Sequence, residues 1–158
     1  MSIMMIGIVS VISATSQMHS LRKHSRERTL AQNALRSMAE RIHATSYGFS
    51  DEPATWATEL LAVYGVGGSF GNTFPVEGLG PPATGVPNGS IQIGLDETAF
   101  DEDFGAEVGL PRDLNGDGDA DDDDVTLDAR VLPVVLTLRW RGETGQNVMR
   151  HGFYVMGY

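Results

Sequence analysis

Residues 1–45 read MSIMMIGIVSVISATSQMHSLRKHSRERTLAQNALRSMAERIHAT, and they decide the fold because an uncharged helix passes into a charged one without a breaker. The first sixteen residues carry no charge, and their apolar side chains cover every side of a helix, whereas a surface helix has one apolar stripe. The pattern predicts that this segment is buried in lipid or at the centre of an assembly. The residues expected to form this core, in a membrane or in an assembly, are Ile3, Ile6, Gly7, Ile8, Val9, Val11 and Ile12.

Residues 29–43 continue the helix with a single apolar stripe. Ala31, Leu35, Met38 and Ile42 recur at helical spacing, with polar side chains between them. A helix over residues 1–45 is roughly 68 Å long at 1.5 Å per residue, so it must project from its own domain. The chain is therefore divided into a helix, apolar at 1–16 and amphipathic at 17–45, and a globular head at 46–158.

The head is expected to be an antiparallel sheet with one short helix. Alternation of apolar and polar residues marks its strands, and a run of eight glycines and four prolines marks irregular chain. The expected elements are a helix at 53–63 with Trp56, Leu60 and Leu61 inward, irregular chain at 64–90, and strands at 91–95, 131–141 and 147–156, the last two joined by a turn at 142–145. The predicted fold class is α+β, a long N-terminal helix with the sheet packed on its C-terminal half.

Residues 113–124, DLNGDGDADDDD, have the spacing of a calcium loop. Oxygen-bearing side chains stand at positions 1, 3, 5, 9 and 12 of the twelve-residue template, and Gly118 at position 6 permits its sharp turn. A hard cation needs this alternation because successive odd positions point into one bowl. The predicted Ca²⁺ ligands are Asp113, Asn115, Asp117, the backbone carbonyl of Asp119, Asp121 and Asp124.

The alternative is a solvated acidic loop, which runs of like charge commonly form. Asn115 and Gly118 stand in register with the template and favour the metal site. Neither flank reads as an EF-hand helix, so the loop resembles the helix-poor loops of dockerin-like repeats in a single copy. A single loop favours a stabilising role over a sensing one, and extracellular modules of this kind bind Ca²⁺ at about 10⁻⁴–10⁻³ M.

The formal charge of −10 is unevenly distributed along the chain. Residues 1–45 hold six basic against two acidic side chains, and residues 46–158 hold five against nineteen. The acidic head argues against a nucleic-acid partner, whose phosphates need a basic face. Cysteine is absent, the four histidines share no metal spacing, and the carboxylates concentrate in the calcium loop. We therefore assign no catalytic residue and expect that the protein is not an enzyme.

Residues 1–16, the pair Leu21-Arg22 and residues 31–42 resemble the type IV pilin-like superfamily, and the match covers about a third of the chain. The stretch MAERI at 38–42 and the closing hairpin with Trp140 are most similar to PilV-type minor pilins, with the pseudopilins of type II secretion next. The resemblance implies a structural subunit of a pilus or pseudopilus whose partners are other pilin or pseudopilin subunits. It also implies anchoring in the inner membrane before assembly, an exported head, and a final place in a cell-surface pilus or a periplasmic pseudopilus.

The start of the chain departs from the family pattern, which has a basic leader, a cleavage glycine and a glutamate at the fifth mature position. Aligning Gly7 with the family's glycine puts Met1 near the tenth mature position, so we expect about nine residues to precede it. A signal-peptide core is the rival interpretation, but its basic residues should come before the apolar run rather than after it. The alternative function is a membrane-tethered or secreted, monomeric calcium-binding interaction module.

Overall fold

A computed structural model describes residues 2–49, 55–99, 104–143 and 145–157, with the backbone alone for 2–17. The chain contains three helices and one antiparallel sheet within the described residues, so the α+β class is confirmed. The elements are α1 (Ser2–Tyr47), α2 (Trp56–Tyr64), β1 (Thr73–Phe74), β2 (Gly89–Ile93), α3 (Gly105–Val108), β3 (Val131–Gly142) and β4 (Gly145–Met156).

The four strands form one sheet in the order β1-β2-β3-β4, and every neighbouring pair is antiparallel. The β3–β4 hairpin is the largest part of the sheet, with twelve residues in each strand and Gly142 paired with Gly145. The predicted hairpin at 131–141 and 147–156 is thus confirmed; Thr144 of its turn lies outside the described residues.

The two faces of β3 differ as its alternation predicts. Leu136, Leu138 and Trp140 are buried, whereas Arg139 and Arg141, which alternate with them, are exposed. The buried face lies against α1, because Trp140 Nε1 donates a hydrogen bond of 3.3 Å to Glu27 Oε2. On β4 the same face presents Phe153, whose ring centroid is 5.0 Å from that of His43 on α1.

The amphipathic part of α1 buries the predicted stripe against the sheet. Ala31, Leu35 and Ile42 of that stripe, together with Ala39, are at most 7% exposed, whereas Met38 is half-buried. Fully burying a side chain of the size of Leu or Ile contributes about 1.5–3 kcal/mol, so this stripe is a main source of the attachment of α1 to the sheet.

Two contacts fix the direction of α1 along the hairpin. Lys23 Nζ lies 2.9 Å from Glu143 Oε1 beside the hairpin turn. At the other end, the Ser46 hydroxyl donates to the Met156 carbonyl at 3.2 Å. The helix therefore starts its contact with the sheet at the hairpin turn and ends beside the first residues of β3 and the last of β4. The sheet packs on the C-terminal half of α1, as the sequence predicts.

The short helix α2 closes the same end of the sheet. Trp56 is 1% exposed, and its Nε1 donates to the Ala129 carbonyl at 2.7 Å. Leu60 is buried, whereas Leu61 is only half-buried, which corrects the expectation that it points inward. Residues 53 and 54 of the predicted helix lie outside the described residues.

The glycine- and proline-rich stretch 64–90 is largely irregular, as predicted, but contains β1, which pairs with β2. A Cβ on Gly89 would lie 2.3 Å from the Phe74 ring, so the close approach of these strands requires glycine. The four-residue helix α3 was not predicted, because one helical turn is too short to show a period.

The expected membrane anchor needs correction. Within the part of the chain that the structure describes, no helix contains a stretch long and apolar enough to cross a bilayer. The apolar run, residues 3–12, has ten residues, fewer than the approximately 20 predominantly apolar residues that a spanning helix takes. The inner-membrane localisation, and the cell-surface or periplasmic destinations derived from it, are therefore not supported. The backbone of this run belongs to α1, but the side chains of Ile3, Ile6, Gly7, Ile8, Val9, Val11 and Ile12 lie outside those described.

Candidate metal centre

The acidic loop is attached to one end of the sheet, between the last residues of β2 and the first of β3. The Val131 and Arg130 N–H groups donate to the Leu114 carbonyl at 3.0 and 2.9 Å, and Val125 N–H donates to the Leu95 carbonyl at 3.0 Å. Leu114 and Val125 are fully buried. Two apolar anchors therefore fix an otherwise polar loop to the core.

Glycines make the turn that the loop needs. Gly116 and Gly118 have φ of 79° and 110°, values that L side chains rarely adopt. The turn predicted at Gly118 is thus present. The Asp113 carboxylate spans it, accepting hydrogen bonds from the Gly116 N–H and, at 3.1 Å, from the Gly118 N–H.

Three carboxylates converge at this loop. Glu97, Asp119 and Asp122 each bring one oxygen to a point where all three lie within 4.8 Å of one another. Glu97 is fully buried, Asp122 half-buried and Asp119 exposed, so the cluster opens to solvent on one side. Converging carboxylate oxygens are the ligands that hard divalent cations take, so the cluster can hold a metal ion.

The backbone holds Glu97 in place. Its Oε1 accepts the Leu114 N–H at 2.5 Å and its Oε2 accepts the Asp122 N–H at 3.4 Å, while the Glu97 N–H donates to the Asp122 carbonyl at 2.9 Å. A buried carboxylate needs such donors, because burying an unpaired charge is costly. Glu97 therefore connects the end of β2 to both halves of the loop.

The pKa of two members of the cluster is raised, by hydrogen bonding in one case and burial in the other, with neighbouring negative charges adding to both. A hydrogen bond with the Asp121 side chain and the charges of Asp117 and Asp121 raise the pKa of Asp119. Burial, followed by the charges of Asp117 and Glu97, raises the pKa of Asp122. Neighbouring carboxylates contribute to both shifts, and a cation between these oxygens would offset that repulsion.

The predicted ligands are distributed around this cluster. Asp119 is in it, through its carboxylate rather than the predicted backbone carbonyl. Asp117 and Asp121 are close enough for their charges to act on Asp119. Asn115 is buried, and its amide donates to Asp122 Oδ2 at 2.9 Å while its side-chain oxygen accepts the Asp117 N–H at 3.1 Å.

The first and last predicted ligands have local hydrogen bonds. Asp113 binds the two glycine N–H groups described above, and Asp124 accepts the N–H of Thr126 at 2.9 Å and its hydroxyl. Both bonds from Thr126 lower the pKa of Asp124. Neither carboxylate is among the three that converge, and their role as ligands stays a prediction.

Sequence reasoning missed Glu97 and Asp122. Glu97 lies outside the twelve-residue template, and the pairing of β2 with β3 together with the hydrogen bond between Val125 and Leu95 brings it to the loop. Asp122 is one of four consecutive aspartates, 121–124, of which the template register selects Asp121 and Asp124 instead. The available signal was the acidic pair Asp96-Glu97 directly after a predicted strand.

No known protein family, no curated protein and no solved structure matches this chain. The architecture, a long N-terminal helix with an antiparallel sheet packed against it, is compatible with a pilin-like fold. The proposed function therefore rests on the fold and on the chemistry of the acidic cluster.

Proposed function

We propose that this chain is a structural subunit of a pilin-like filament, joined to neighbouring subunits through α1, with a head stabilised by calcium in loop 113–124. The observation that carries the proposal is the length of α1 relative to the sheet. The helix runs from Ser2 to Tyr47, about 69 Å, whereas the hairpin turn lies beside Lys23. Another 21 helical residues lie N-terminal to Lys23, and the first sixteen of the chain are uncharged.

An apolar helix of this kind favours association. Exposing apolar surface to water costs about 25 cal/mol per Å², so burial against like helices stabilises the assembled state. Gly7, Ser10 and Ala14 are small residues three and four positions apart, a spacing that lets helix backbones approach closely. The proposed subunit contacts therefore centre on these positions, with other copies or related subunits as partners.

Calcium fits the acidic cluster better than the other common divalent cations. Every side chain that converges offers oxygen, whereas zinc favours nitrogen and sulfur. Magnesium demands near-ideal octahedral geometry and keeps several waters, but calcium accepts six to eight oxygens in a flexible arrangement. The proposed site combines Glu97, Asp119 and Asp122 with the neighbouring Asp117 and Asp121. Since these residues join β2 to the loop, a bound Ca²⁺ would stabilise the head.

The filament proposal is tested with the full chain by sedimentation velocity over a range of concentrations. Gly7→Leu should weaken self-association, because its side chain separates the helix backbones, and leave the melting temperature of the head unchanged. The matched control is Ala44→Leu, which adds a similar volume at an exposed position of α1 beside the sheet. A monomeric full chain, or equal effects of the two substitutions, would contradict the proposal.

A monomeric calcium-binding interaction module is the second candidate, and the half-open acidic cluster favours it. In that case calcium binds and raises the melting temperature while the full chain stays monomeric. The same sedimentation experiment, done with and without Ca²⁺, separates the two functions.

A further inference from the structure

Charge is segregated along the long axis of the head. β3 is twelve residues long, about 36 Å between its first and last residues at 3.3 Å per residue. The acidic loop is bonded to its first residue, Val131, and the hairpin turn follows its last, Gly142. The acidic loop and the hairpin turn therefore lie at opposite ends of the sheet.

The hairpin end is basic. Six exposed basic side chains lie there, four on α1 and two on β3, and we call this set the basic end: Arg22, Lys23, Arg26, Arg28, Arg139 and Arg141. Two acids accompany them, Glu143 paired with Lys23 and Glu27 hydrogen-bonded by Trp140. Glu27 is only 9% exposed, so the accessible surface of this end is predominantly positive.

The opposite end is acidic. Residues 112–130, which we call the acidic end, hold eight aspartates against two arginines, a formal charge of −6. One bound divalent cation leaves −4. Asp123 is exposed and belongs neither to the converging cluster nor to the predicted calcium ligands. Negative charge therefore remains available for a partner when the metal site is full.

We propose that copies of this chain contact one another head to tail, with the acidic end of one copy against the basic end of the next. The inference rests on the proposed filament function and names the contact that sets the axial order of the heads. Because the two surfaces differ and lie at opposite ends, each copy can bind one neighbour at each end, and a heterologous contact that does not close on itself builds an open fibre.

Charge complementarity selects a second copy as the occupant. A like-to-like contact would place two basic ends or two acidic ends together, and both arrangements repel. The head-to-tail arrangement brings the acidic end, with a formal charge of −4 with bound metal or −6 without it, against the basic end. The basic end contains six basic and two acidic side chains. In this arrangement the helices α1 of successive copies point the same way.

The contact is tested with the full chain in saturating Ca²⁺ by sedimentation velocity. Raising NaCl from 0.1 to 1 M shortens the screening length from about 10 to about 3 Å, so the head-to-tail contact weakens severalfold while apolar helix contacts persist. Arg141→Glu should weaken association roughly threefold to tenfold, the range expected for losing and reversing exposed charge pairs. Adding Asp123→Arg to the same chain should restore part of that loss, because the opposing charges are then exchanged.

Arg36→Glu is the matched control, since it makes the same change of charge at an exposed site of α1 outside the basic end. Circular dichroism verifies that each variant is folded. The inference is overturned if Arg141→Glu and Arg36→Glu weaken association equally, if Asp123→Arg restores nothing, or if salt has no effect. If the chain associates but the charge substitutions do not change its association, the head-to-tail contact is wrong and the filament function is unaffected. If the chain is monomeric under all conditions, both the head-to-tail contact and the filament function are contradicted.

Discussion

Glu97 Oε1 accepts a hydrogen bond of 2.5 Å from the Leu114 backbone N–H, across 17 residues of sequence. Both partners are fully buried, so a carboxylate at the end of β2 is part of the structure of the acidic loop that precedes β3. This contact joins the metal site to the core of the head. A cation that binds Glu97 would thereby stabilise the fold and not merely the loop.

Calcium should raise the thermal stability of the protein. A ligand that binds only the folded state adds RT ln(1 + [L]/Kd), about 1.4 kcal/mol at ten times Kd. The measurement is the melting temperature by differential scanning calorimetry, with Ca²⁺ and with a chelator. Magnesium at the same concentration is the control, and a midpoint that does not move with Ca²⁺ would rule out a structural site.

Glu97→Gln should remove most of the calcium-induced rise in melting temperature. The amide keeps an acceptor for Leu114 but lacks the charge that attracts the cation. Losing a charged hydrogen bond in the core should also lower the metal-free stability by about 1.5–3 kcal/mol. Asp123→Asn, which removes an exposed neighbouring charge outside the cluster, is the matched control and should keep the calcium response. Equal responses in the two variants would exclude Glu97 as a ligand.

Only part of the metal site could be predicted from the twelve-residue loop sequence. The template found the loop, the positive φ of Gly118 and the acidic neighbourhood of Asp119 because these depend on local spacing. Glu97 depends on the pairing of β2 with β3, which no window over residues 113–124 contains. Among four consecutive aspartates, side-chain direction is decided by how the loop is anchored at Leu114 and Val125, so spacing alone cannot separate Asp122 from Asp121.

Acid should stabilise the metal-free loop. The pKa values of Asp119 and Asp122 are raised above the ordinary 3.8, so the folded state binds more protons than the unfolded state between those raised values and 3.8. In chelator, stability should therefore increase as the pH falls through this window, and the calcium-induced rise should shrink because protons compete. Asp124 and Glu143, whose pKa values are lowered, act oppositely, but only as the pH falls below 3.8 and 4.5, respectively.

Melting curves in chelator from pH 7 to pH 4 measure this effect. Asp122→Asn removes one of the two titrating groups and should flatten the dependence, whereas Asp123→Asn should not. Stability that falls steadily with acid in the wild type, with the same slope in both variants, would show that the cluster is not under repulsive strain.

Leu35→Ala should test the attachment of α1 to the sheet. Leu35 is 3% exposed in the buried stripe, and truncating a buried leucine costs about 2–5 kcal/mol. Asn33→Ala changes an exposed residue of the same helix and should cost little. Urea denaturation of both variants measures the difference; similar midpoints would mean that this stripe does not hold the helix.

The long elements were predictable from sequence because their periods repeat. The stripe through Leu35 and the alternation through Leu136 and Leu138 extend over ten residues or more, which outweighs local exceptions. β1 and α3 have two and four residues, too few to show a period, and they exist through tertiary contacts such as Phe74 against Gly89. The membrane assignment extrapolated from an apolar run of ten residues, 3–12, which is shorter than a spanning helix.

Site-specific disulfide cross-linking of the full chain tests the filament claim most directly, because the native sequence has no cysteine. Single cysteines are introduced by Gly7→Cys, Ser10→Cys and Ala14→Cys, and by Ala44→Cys as the control on the exposed face of α1 beside the sheet. If the N-terminal helices pack together, mild oxidation should convert at least one of the first three variants into covalent dimers while Ala44→Cys stays monomeric. Monomers for all four, or dimers formed equally by all four, would contradict the account.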